Sequence, residues 1–73
     1  MYLVVNFQKL GDVNTAQSVF PYATSAKARS AYHQTIASNY VSLEDTNNAL
    51  SGFLVCLIDS RGMSVLQESV NID

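Results

Sequence analysis

The sequence predicts a two-layer α+β fold, an antiparallel sheet of four strands in the order 2-1-3-4 with one helix packed on one face. Three observations lead there. Apolar periodicity changes from strand-like to helix-like and back once, which gives the order β-β-α-β-β. Two of the strand segments are apolar on both faces and belong in the centre of a sheet. The other two are more polar, and one contains Pro21, which cannot donate a ladder hydrogen bond and belongs at an edge.

The first strand is expected over residues 2–9, YLVVNFQK, with Leu3, Val5 and Phe7 on one face and Tyr2, Val4, Asn6 and Gln8 on the other. Gly11, Asp12 and Asn14 supply turn chemistry after it. The second strand follows in TAQSVFPY.

Thr24 or Ser25 can cap a helix through AKARSAYHQTIASNY, which contains neither Gly nor Pro. At helical spacing, Ala28, Ala31, Tyr32, Thr35, Ile36 and Asn39 share an arc of about 140°. This small-residue stripe suits close approach to a sheet. About sixteen helical residues span roughly 24 Å, enough to cross the sheet along its strands.

SLEDTNNALSG reads as a polar connection. The third strand, GFLVCLID, stays apolar on both faces. Asp59 and Gly62 in DSRG suit a short hairpin loop, and MSVLQESV returns as the fourth strand.

One helix covers one face of such a sheet and leaves the other bare. The open face is expected to carry Tyr2 and Val4 with one alternating set of the third strand. Those sets are Phe53, Val55 and Leu57, or Leu54, Cys56 and Ile58, and the first is assigned to the interaction surface. A bare apolar face marks an interface, and a second copy in a two-fold dimer is its simplest cover. Strong curling of the sheet, with connections shielding its back, is the alternative.

Seventy-three residues make a single domain over residues 1–73, near the lower limit for folding without a disulfide, metal or partner. A chain of this size buries only about 60% of its unfolded surface, which favours oligomerisation. The single Cys56 excludes an internal disulfide and fits a reducing cytoplasm. The amino-terminal segment has neither the basic flank of a secretory signal nor the length of a membrane span. A net charge of −2 and four scattered basic residues give no electrostatic footprint for nucleic acid.

No residues assemble into a catalytic set, and no cofactor or metal is expected. His33, the single histidine, is expected on the solvated side of the helix, with no second ligand or nucleophile beside it. Cys56 reads as a small hydrophobe within an apolar strand. Glu44 and Asp45 read as solvated loop carboxylates. The sequence also lacks a glycine-rich phosphate loop and a nucleophile elbow. Tyr22, Tyr32 and Tyr40 read as amphipathic cover for the sheet and helix ends.

KARSAYHQTIASNYVS, with the later strand and the hairpin DSRGMSVLQES, resembles a loose group of small uncharacterised proteins from Firmicutes and their prophages. The shared pattern covers roughly residues 16–69 and centres on an aromatic-His pair in the helix, here Tyr32-His33. The resemblance implies a bacterial or phage cytoplasmic setting and no particular activity. The reading is a non-enzymatic, self-associating interaction module. Its rival is a small-ligand binder or enzyme with a site at a subunit interface, centred on His33 or a tyrosine.

Overall fold

The computed structural model describes residues 1–11, 14–45 and 49–72. Strand β1 (Tyr2–Leu10) turns into β2 (Asn14–Tyr22), helix α1 (Ser25–Glu44) follows, and β3 (Leu50–Ile58) and β4 (Ser64–Val70) complete the chain. The sheet has the order β2-β1-β3-β4 with every neighbouring pair antiparallel. The expected architecture is therefore the observed one, with Pro21 on an edge strand.

Local chemistry sets the boundaries. Thr24 is extended (φ −125°, ψ 154°), and its Oγ1 accepts the Lys27 N–H at 3.2 Å, capping α1. The helix runs to Glu44, four residues beyond the expected Tyr40. Nothing in Val41–Glu44 breaks it, and Leu43, one turn after Asn39, packs against the core. At Gly11 (φ +71°) the chain turns after β1, and the Gly11 N–H donates to the Ala49 carbonyl at 2.9 Å. The turn residues expected at Asp12, Thr46, Asn47 and Asn48 lie outside the described residues, while Asn14 already belongs to β2.

The β3–β4 hairpin is closed by Asp59. Its Oδ1 accepts the backbone N–H groups of Arg61 at 2.9 Å and Met63 at 3.1 Å, while Gly62 takes φ +83°. At the other end of β3, Gly52 allows the end of β4 to pass close by. A Cβ there would lie 2.7 Å from the Val70 carbonyl oxygen and 3.0 Å from that of Asn71.

The core lies between α1 and the sheet. Val4, Phe53, Val55 and Leu57 are at most 1% exposed and pack with Ala28 and Tyr32. Tyr2, Ile36, Leu66 and Val70 pack around them, half-buried.

This corrects the face assignment. Tyr2, Val4, Phe53, Val55 and Leu57 do not line an open face; they are the helix-facing side of the sheet. The cause is Asn39, 2% exposed within the helix stripe. Asn6 and Gln8 share the Tyr2 and Val4 side of β1. They are the polar partners that let Asn39 be buried.

Candidate functional site

Alternation along the strands places Leu3, Val5 and Phe7 of β1 opposite the helix, with Leu54, Cys56 and Ile58 of β3 beside them. These six form three cross-strand pairs: Leu3 with Ile58, Val5 with Cys56, and Phe7 with Leu54. Each is half-buried by its neighbours in the sheet. The rows extend onto β2, where Val5 pairs with Val19, which is 48% exposed. On β4 they meet Gln67 and Ser69. The open face is therefore apolar along β1 and β3, extends onto β2 at Val19 and Pro21, and is bounded by Gln17 of β2 and by Gln67 and Ser69 of β4. Its reader in the sequence is the second alternating set of β3, with the companion face of β1.

Cys56 sits at the middle of this face, beside Val5. Burial pushes its thiol above the ordinary range, against a smaller opposing effect of Ser64, so it is un-ionised at neutral pH. That agrees with the hydrophobe expected there rather than with a nucleophile.

A second feature lies on the helix side. Between α1 and the β2 half of the sheet runs an open groove of about 420 Å³. Asn6, Gln8, Tyr22, Gln34, Ser38 and Asn39 face it, and none of its lining residues is charged at neutral pH. At its base Gln8 Nε2 donates to Asn39 Oδ1 at 2.9 Å, and Asn39 Nδ2 donates to Asn6 Oδ1 at 3.0 Å. One carboxamide from the helix is thus held between two from β1. Sequence reading placed Asn39 on the buried stripe but did not ask which sheet residues would satisfy it, and that question would have found the groove.

The remaining candidates are dispersed. His33 is exposed, in edge-on contact with Tyr32 (ring centroids 5.2 Å apart, planes at 77°), and does not line the groove. Among the described residues no group of His, Cys, Asp or Glu could hold a metal ion. Tyr40 packs edge-on against Phe53, and its hydroxyl donates to Glu68 Oε2 at 2.7 Å. That bond to a carboxylate holds the Tyr40 pKa above its ordinary value. Glu44 is the last residue of the helix rather than a loop residue, whereas Asp45 follows it in extended conformation at the C-cap, and both are exposed as expected. Among the described residues no helix is long and apolar enough to cross a membrane.

Comparison with protein-family models, with curated proteins and with solved structures finds no match.

Proposed function

We propose that this protein is a non-enzymatic interaction module that self-associates through its open sheet face. The observation that carries the reading is the block of Leu3, Val5, Phe7, Leu54, Cys56 and Ile58, over which no element among the described residues packs. Burying such a block stabilises by about 25 cal/mol per Å² of apolar surface, and a chain this short has little other core to draw on.

A second copy suits the face better than a charged partner. Lys9, at one end of β1, is the one charged side chain among the described residues of β1 and β3 that alternation puts there. Two such faces can therefore meet about a two-fold axis with little like-charge repulsion, at the roughly 10 Å spacing of packed sheets. A bacterial or phage cytoplasmic setting, implied by the resemblance around Tyr32-His33, belongs to the same proposal.

The test is solution mass by light scattering behind size exclusion, over a dilution series, for the unaltered chain and for Val5→Glu. The expected result is a dimer or larger assembly that Val5→Glu converts to monomer, with the helical circular dichroism retained. A chain that stays monomeric at every concentration overturns the proposal.

A further inference from the structure

The groove beside α1 has a recognition chemistry of its own, on the opposite side of the sheet from the proposed interface. Asn39 uses the inner atoms of its two neighbours, the Nε2 of Gln8 and the Oδ1 of Asn6. The outer atoms, Asn6 Nδ2 and Gln8 Oε1, make no hydrogen bond within the described residues. No buried side-chain nitrogen or oxygen among the described residues lacks a partner, so these two atoms reach solvent. Both residues line the groove, which therefore presents a donor and an acceptor two residues apart on one strand.

This is the reverse of the arrangement that Asn39 satisfies. A carbonyl oxygen entering the groove can accept from Asn6 Nδ2, and an N–H on the same group can donate to Gln8 Oε1. Across the groove, Gln34 gives its Nε2 to Ser30 Oγ at 3.1 Å, and its Oε1 makes no hydrogen bond among the described residues. The Ser38 and Tyr22 hydroxyls are likewise unengaged among the described residues. The Thr35 hydroxyl is spent on the Ala31 carbonyl at 2.7 Å. The lining carries no charge to neutralise an ion and too little apolar surface to favour a greasy ligand. A volume of about 420 Å³ suits a small molecule.

We propose that this groove binds a small neutral molecule through a carboxamide or lactam edge, held between Asn6 and Gln8 as Asn39 is held on their inner side. Hydroxyls on the same molecule pair with Gln34, Ser38 and Tyr22. A primary carboxamide and a lactam nucleobase both carry this edge, with the carbonyl oxygen and an N–H on the same side, whereas a trans secondary amide does not.

The test is a ¹⁵N-correlated NMR titration of the intact chain, following the side-chain amides of Asn6, Gln8 and Asn39. The probes are nicotinamide for the primary carboxamide, uracil for the lactam and, as a hydroxyl-only control, glucose. The expected result is saturable movement of the Asn6 and Gln8 side-chain signals with one or both amide probes, in the millimolar range expected of an open polar site, and none with glucose. The probe that saturates first identifies the source of the edge. Asn6→Asp keeps an oxygen for Asn39 Nδ2 but replaces the outward donor with a charged acceptor that opposes a carbonyl oxygen, so it should weaken binding by roughly tenfold or more. Absence of a saturable response to both amide probes, or an equal response to glucose, overturns the proposal. The titration of the unaltered chain decides this whether or not the variant folds.

Discussion

Val55 and Cys56 are neighbours in β3 that face opposite ways, and truncating each in turn tests which side of the sheet is the core. Val55 is fully buried beneath α1. Val55→Ala removes two methyl groups, a transfer loss of about 1.6 kcal/mol at roughly 0.8 kcal/mol per group. Incomplete collapse of the space left behind adds about 1 kcal/mol, for a total of about 2.5 kcal/mol. A domain of this length has about 4–11 kcal/mol in all, so the loss is a large share of it. The corresponding fall in melting temperature is about 10–20 °C. Cys56→Ala removes one half-buried sulfur from the open face and should cost under about 1 kcal/mol in the dilute monomer. The assay is thermal unfolding by circular dichroism over a dilution series. The Val55→Ala cost should hardly change with concentration, whereas that of Cys56→Ala should grow as copies associate. Equal costs at the highest dilution would refute the placement of the core.

Gly52→Ala puts a Cβ against two backbone oxygens that cannot swing aside, and should lower the urea midpoint by the equivalent of about 1–3 kcal/mol; an unchanged midpoint would mean the β4 end does not pass there. Thr24→Ala should cost about 1 kcal/mol through loss of the cap on Lys27 N–H, with Thr24→Ser retaining most of it, as read by the same unfolding assay. Asp59 has its pKa lowered mainly by the Met63 N–H, with Arg61 contributing, so its folded value lies below its unfolded one. Its contribution is therefore present above the ordinary aspartate range and lost as pH falls through the folded value. Urea midpoints of the unaltered chain and Asp59→Ala should accordingly differ at neutral pH and converge in strong acid.

The fold was legible because its local signals agree with its topology. Pro21 marked an edge, the doubly apolar strands marked the centre, and Thr24, Asp59 and Gly62 marked where the chain turns. The faces were not legible in the same way. Period-two alternation says which side chains of β1 share a face, but not which face meets the helix. Asn6 and Gln8 share a face with Tyr2 and Val4, and their bonds to Asn39 show that this face meets the helix. The helix end was missed for a related reason: Ser42, Glu44 and Asp45 read as loop, while the apolar contact that continues the helix comes from Leu43 alone.

Both candidate sites follow from one geometric shortfall. Outer strands of a four-stranded sheet lie about 14 Å apart, and their side chains extend further, while a helix with its side chains is about 10–12 Å wide. One helix cannot cover one face of this sheet completely, and it covers nothing of the other. On the helix side the core extends to Leu66 and Val70 of β4, whereas Phe20 of β2, paired with Val4, remains 52% exposed. The uncovered strip therefore lies toward β2, where Asn6 pairs with Ser18 and Gln8 with Ala16. The sequence puts amides and small residues there, so the gap becomes a polar groove rather than an apolar patch. On the far side it puts Leu3, Val5, Phe7, Leu54, Cys56 and Ile58, which water covers poorly. The same shortage of helix thus leaves a surface suited to polar ligands on one side and a surface suited to another sheet on the other.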